Sequence, residues 1–294
     1  MNAPTTNIAP KPIDPATLVR APSVLLLGAP GSGKTYSIVT LLKAGLKVFV
    51  VITEPSGLDT LLDACEKEKV SIDNLHYKII APSRSGFEEL TSLAKLLTSM
   101  DYESMSKMRP SNRADAQIHQ LMSTMRNFTC ERTGASFGPV DKLPADSAVV
   151  IDSMSGLSLM VWDATVGNKL TAHQGEWGVA MNYIDRFVNT CTSSFRGLFV
   201  LTAHFERELD ETTQGTKLMV STLGRKLAPK IPRFFSEVVL ARQEGPNYFW
   251  DTSSPSIDLK HRALPLGSKL PPSFEPVVAA HRRRLELVAR PKAS

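Results

Sequence analysis

Residues 28–35 read Gly28-Ala29-Pro30-Gly31-Ser32-Gly33-Lys34-Thr35. This fits the spacing G-x-x-x-x-G-K-[ST] of a phosphate-binding loop. The glycines free backbone N–H groups to curl around a phosphate, and the helix that follows adds its positive end. Lys34 is expected on the β- and γ-phosphates and the Thr35 hydroxyl on Mg²⁺; Tyr36 follows directly and completes the nucleotide-binding set. Asp152 closes an apolar run at 148–151, where a carboxylate would hold the metal through water, opposite Thr35. The alternative for Asp152 and Ser153 is a helix cap. Glu54 follows the run at 48–52. At a strand's carboxyl end it can orient water toward the γ-phosphate; the alternative is a solvated loop carboxylate beside Pro55. A competing base next to Asp152 would be a Glu at 153, but that residue is Ser153. His204 closes the run at 198–203, where it can sense the γ-phosphate or simply cap a strand edge.

These residues need elements to hold them. Val24-Leu25-Leu26-Leu27 feeds the loop, a helix-compatible stretch at 35–44 leaves it, Gly45 stops that helix, and a second apolar run follows. That is strand, loop, helix, strand, the unit on which such loops are built. A helix at 57–69, a strand at 77–80 and a helix at 86–100 continue the alternation. It predicts an α/β fold with a mostly parallel twisted sheet flanked by helices. A helix at 177–194 and a strand at 198–204 follow Asp152. Segments 237–242 and 248–252 flank the turn Glu244-Gly245-Pro246-Asn247 and predict a C-terminal antiparallel hairpin. A further strand is expected at 257–261. On it Lys260 and Arg262 share a face, which suits cations reaching a neighbouring subunit's ATP or an exposed basic edge.

The chain divides into a flexible arm at 1–20, rich in Pro, Thr and Asn, an ATPase domain at 21–280 and a basic tail at 281–294. Residues 101–146 are Met-rich, then turn-rich, and read as an insertion on the core. No apolar run approaches the ~20 residues of a membrane span and no signal core opens the chain, so a cytoplasmic protein without a membrane is expected. Cys65, Cys130 and Cys191 are too scattered for a zinc site or a disulfide framework. The net charge of +5 is compatible with a polyanionic partner. Arg207, Lys217, Arg225, Lys226 and Lys230, within the polar stretch 205–230, are candidate phosphate contacts to single-stranded DNA. Phe234-Phe235, beside a strand, reads as core more than as a base-stacking pair.

Together these residues resemble the RecA-like P-loop ATPases, and more narrowly a phage-encoded branch used in recombination and single-strand annealing. The resemblance rests on the loop at 28–35, V-V-I-T-E at 50–54, V-V-I-D-S at 149–153, L-T-A-H at 201–204 and K-H-R at 260–262, and spans about 23–265. It implies ATP and Mg²⁺ as cofactors, Glu54 as the catalytic carboxylate, and Lys260 and Arg262 acting across a subunit interface. It also implies a ring or filament of identical subunits that acts on single-stranded DNA in recombination, annealing or replication, in the host cytoplasm if phage-encoded. The chain departs from the bacterial recombinase at His204, where that protein has an amide side chain, and in the 101–146 insertion. Two other readings stay open. One is an ATPase that loads or remodels a replication or recombination protein through 101–146. The other is a small-molecule kinase, against which the placement of Glu54, Lys260 and Arg262 weighs.

Overall fold

Unbroken apolar runs bounded by turns are the mark of strands buried on both faces. In the computed structural model these runs are β1 (Ser23–Gly28), β2 (Lys47–Ile52), β4 (Ser147–Asp152) and β5 (Leu198–Ala203), buried along nearly their whole length. With β3 (Leu75–Ile79), β8 (Glu237–Glu244) and β9 (Asn247–Asp251) they form a seven-stranded sheet ordered β3-β2-β4-β5-β1-β8-β9. All its pairings are parallel except β8 with β9. This is the expected mostly parallel sheet with a C-terminal antiparallel hairpin. The structure describes residues 19–81, 117–167, 169, 171–209 and 215–289, together with 91, 94, 95, 98, 99, 101 and 103. The arm at 1–18, most of the helix expected at 86–100, nearly all of 101–116 and the tail end at 290–294 lie outside the described residues.

Alternate side chains of each strand enter opposite layers. Leu25, Leu27, Phe49, Val51 and Ile151 pack with α4 (Gln117–Arg126), α5 (Met154–Val166) and α6 (Gln174–Ser194) on one face. Val24, Leu26, Val48 and Val50 pack on the other with α2 (Val39–Lys43), α3 (Gly57–Lys67) and α7 (Glu275–Ala289). The helix expected at 35–44 is divided at Ile38 into α1 (Lys34–Ser37) and α2.

Four elements differ from the sequence reading. Helix α5 was not expected, because apolar residues lie all round it and no single stripe forms. Gly156 lets it approach β2, since a Cβ there would come 2.2 Å from Thr53 Oγ1. The polar stretch after His204 is not a plain loop but a two-stranded antiparallel ribbon, β6 (Phe205–Leu209) with β7 (Thr216–Val220). One side of its strands carries mixed charges toward solvent while Phe205, Leu218 and Val220 pack on the core, so the unbroken apolar run of the buried sheet is missing. The strand expected at 257–261 is absent. β9 covers β8 only from Leu240 to Glu244, which leaves room for a single bridge from Lys260 to Val238. Finally, α7 starts before the expected tail and docks Val277, Val278, Ala280 and His281 into the core.

Candidate functional site

The sheet order sets β2, β4, β5 and β1 side by side. Their parallel register pairs Ile52 with Asp152, and Leu27 with Ala203. The residues just past the carboxyl ends therefore converge: Thr53 and Glu54, Asp152 and Ser153, His204, and the loop that starts at Gly28. Ligands gather at this end of parallel sheets. A cavity of about 270 Å³ lies there, lined among others by Gly33, Lys34, Thr35, Glu54, Asp152 and His204.

The loop bends as its composition requires. Gly31 and Gly33 have φ of 75° and 82°, conformations that cost other L-residues free energy. A Cβ on Gly33 would also stand 2.8 Å from the Tyr248 ring, and one on Gly28 would stand 2.9 Å from the Ala241 carbonyl oxygen. Tyr248, on the hairpin, and Tyr36 are nearly parallel, with centroids 6.4 Å apart and planes 14° apart. Lys34 is buried and its Nζ donates to the carbonyl oxygens of Gly28 and Ala29, both at 2.9 Å. Burial pulls its ammonium below the usual lysine range, against Asp152 and Glu54, which pull upward.

Asp152 is 2% exposed. It accepts hydrogen bonds from the Thr35 hydroxyl at 2.7 Å and from the Thr202 hydroxyl. Burial raises its carboxyl above the usual range, and the two hydroxyl donors oppose that rise. Glu54 accepts from the Ser153 hydroxyl, and its Oε1 lies 3.4 Å from His204 Nε2. The His204 hydrogen bond holds the Glu54 carboxyl below the usual range, with help from Ser153 and Lys34 and against burial. The other nitrogen, His204 Nδ1, is 3.4 Å from Lys34 Nζ and 3.2 Å from the Gly28 carbonyl oxygen. His204 thus spans the loop and Glu54.

Two contributors escaped the sequence reading. Thr202 lies on β5 two residues before His204, which follows the strand's end, so alternation turns both toward the same site, a signal present in L-T-A-H. Thr53 grips the neighbouring strand's end. Its hydroxyl accepts from Ser153 N–H at 2.7 Å and lies 3.1 Å from the Ser153 carbonyl oxygen. The Asp152–Ser153 peptide is cis. The Ser153 hydroxyl bonds Glu54.

Lys260 and Arg262 are not at this end of the sheet. Glu237 pairs with Val24, at the start of β1, whereas Ala241 pairs with Gly28. The buried Glu237 carboxylate accepts the backbone N–H groups of Arg262 and Ala263 at 2.8 Å, and Lys260 Nζ donates to the Phe235 carbonyl oxygen at 2.8 Å. Both residues are exposed at the amino end of β8, away from their own chain's Lys34.

The five candidate DNA contacts are also separated. Lys217 pairs with Asp258 at 3.0 Å and Arg225 with Glu208 at 3.4 Å. Arg207 stands at the rim of a cavity of about 710 Å³ that the phosphate loop also borders. Lys226 and Lys230 line a cavity of about 230 Å³ against α6. Phe235 is buried and stacked on Phe199, so it is core, as expected.

The mostly parallel seven-stranded sheet, its flanking helices and its antiparallel terminal strand define an α/β fold. Among solved structures the chain is similar to the crystal structure of the RadB recombinase, at 13% identity and a TM-score of 0.38 over 85% of each chain. No family model and no curated protein matches it. No described helix is long and apolar enough to cross a membrane.

Proposed function

We propose that the chain is an Mg²⁺-dependent ATPase with a RecA-like core at 21–280 that acts on single-stranded DNA in recombination, annealing or replication. One observation carries this reading: Thr35 and Asp152 meet at 2.7 Å beside Lys34 and Glu54, at the mouth of a glycine loop. Lys34 and the loop amides would hold the phosphates, and Tyr36 and Tyr248 offer flat faces beside them for a base.

The donor set fits a hard cation. The Thr35 hydroxyl and the Asp152 carboxylate supply oxygens only, as Mg²⁺ prefers, and Mg²⁺ commonly keeps most of its waters. A buried carboxylate whose partners are hydroxyl groups also gains from a nearby cation. Among the described residues no cluster of three or more His, Cys, Asp or Glu could hold a metal instead. Held by the Thr35 hydroxyl and the Asp152 carboxylate, Mg²⁺ would neutralise negative charge on the phosphates.

Glu54, kept ionised by His204, can accept a hydrogen bond from water and aim it at the γ-phosphate. His204 reports to the ribbon behind it, because its carbonyl oxygen accepts Ser221 N–H at 2.9 Å. Lys260 and Arg262 face outward from the far end of the sheet, which suits a role in a neighbour's site within a ring or filament. Exposed Arg207, Lys226 and Lys230 and the net charge of +5 support a nucleic-acid partner.

Phosphate release from ATP, measured with and without single-stranded oligonucleotide at low salt, tests the reading. The expected result is Mg²⁺-dependent turnover raised by the strand. Failure to bind ATP with Mg²⁺ present removes the whole reading; turnover indifferent to the strand removes its DNA half.

A further inference from the structure

Helices α5 and α6 expose several large apolar side chains. Leu159 is 51% exposed, Val179 62% and Trp177 37%. Trp177 lies on Trp162 with ring centroids 4.1 Å apart. A paired, partly exposed indole face of this kind suits contact with a partner. The segment after β7 runs against it. Gly224, with φ of 72°, passes so close that a Cβ there would meet Met181 Sδ at 3.0 Å and Trp177 Cε3 at 4.0 Å. The next residues are basic: Arg225, Lys226, Lys230 and Arg233, all exposed. Arg225 pairs with Glu208, and Arg233 holds Asp185 at 3.4 Å. Among the described residues no carboxylate pairs with Lys226 or Lys230, yet both line one cavity with Gly178, the neighbour of Trp177.

We infer that Trp162 and Trp177, with Lys226 and Lys230, form a stacking and phosphate-binding surface for single-stranded nucleic acid. This rests on the strand half of the functional reading and assigns it a place. An exposed indole beside unpaired ammonium groups suits a chain that alternates flat bases with phosphates. Charge complementarity favours a polyanion, and the aromatic face separates a nucleic acid from an acidic polypeptide. The surface is also wired to the nucleotide site. The Ser221 N–H that bonds the His204 carbonyl oxygen lies three residues before Gly224, and Thr222 Oγ1 is 3.4 Å from Ser158 on α5. A strand held here would bias the segment that His204 touches.

Of the three tryptophans, Trp250 is 1% exposed, so a strand on this surface should quench emission from Trp162 and Trp177. The full chain is titrated with oligo(dT) at low salt while tryptophan emission is followed, and affinity is measured separately with labelled oligo(dT). Oligo(rU) is titrated in parallel to tell DNA from RNA as the strand. Expected outcomes are quenching in the parent and a loss of about 5- to 150-fold in affinity for Trp177→Ala. Trp177→Phe should keep most of the affinity, and thermal midpoints show which variants are folded. Lys226→Ala with Lys230→Ala should flatten the log-affinity versus log-salt slope by about 1.4, two contacts at ~0.7 each. Parental affinity in both folded variants overturns the assignment and leaves the ATPase reading standing. So does displacement of the strand by poly-glutamate as readily as by unlabelled oligo(dT). If the parent binds no strand at low salt, this assignment and the DNA half of the functional reading fall together, while ATP hydrolysis is judged on its own.

Discussion

Glu54 and His204 meet in the cavity beside the glycine loop, with the carboxylate Oε1 3.4 Å from the imidazole Nε2. The same ring places Nδ1 3.4 Å from Lys34 Nζ. One side chain therefore touches both the group proposed to hold the phosphates and the group proposed to aim the water.

Glu54→Gln preserves the shape of the site and removes the negative charge. Calorimetric binding of ATP with Mg²⁺ should persist, while turnover should fall by about 10²- to 10⁴-fold, the usual worth of a positioned base. Turnover at the parental rate would place the base elsewhere. Because Glu54 titrates below its ordinary range, acid loss of activity assigned to this group should begin only below that range.

Asp152→Asn keeps a hydrogen-bond acceptor for Thr35 but removes the charge a cation requires. Nucleotide affinity in the parent should drop on chelation of Mg²⁺. In the variant the chelator should change affinity little, because the metal contribution is already gone; equal Mg²⁺ dependence in both would refute the assignment.

Gly33→Ala meets two separate penalties. The left-handed backbone costs about 1–2 kcal/mol, and the added methyl runs into the Tyr248 ring. Urea unfolding should show that Tyr248→Ala costs less in the Gly33→Ala background than in the parent. That coupling is the measure of the clash; strict additivity would mean that the hairpin does not rest on the loop.

Glu237→Ala would strip the acceptor from the partly buried Arg262 and Ala263 N–H groups. A loss of about 2 kcal/mol is expected in denaturant unfolding, the low end of ~1–3 kcal/mol for each of two unsatisfied donors, because both are only partly buried. Arg262→Ala removes only an exposed side chain, so ATP binding by single chains should survive. If Arg262 serves a neighbour, mixing this variant with Glu54→Gln should restore part of the turnover.

Two buried imidazoles set an acid limit on stability. Burial lowers the His76 pKa, aided by Arg132 and Lys47, and lowers that of His281, aided by Arg284. The unfolded chain binds these protons more readily than the folded one. Stability is therefore fullest above the unfolded value of about 6.5 and declines as pH falls below it. Thermal midpoints between pH 7 and pH 5 should fall in the parent and fall less in His281→Leu; an unchanged slope would discount His281.

The sequence by itself determined the loop, its strand and the residues at the strand ends. Glycine spacing and unbroken apolar runs are local properties, and in a parallel sheet a strand's carboxyl end is where a ligand sits. That is why the convergence of Lys34, Thr35, Glu54, Asp152 and His204 at one end of the sheet was legible without coordinates. The tertiary structure alone decided what depends on neighbours distant in the chain. Thr53 reaches Ser153 only because β2 lies beside β4. Lys260 makes one bridge rather than a strand because β9 already occupies most of the edge of β8. Trp162 meets Trp177 because two helices pack side by side, and no spacing along the chain encodes that. Local pattern fixes which backbone forms and which side chains can do chemistry; packing between strands and helices fixes which of those side chains meet.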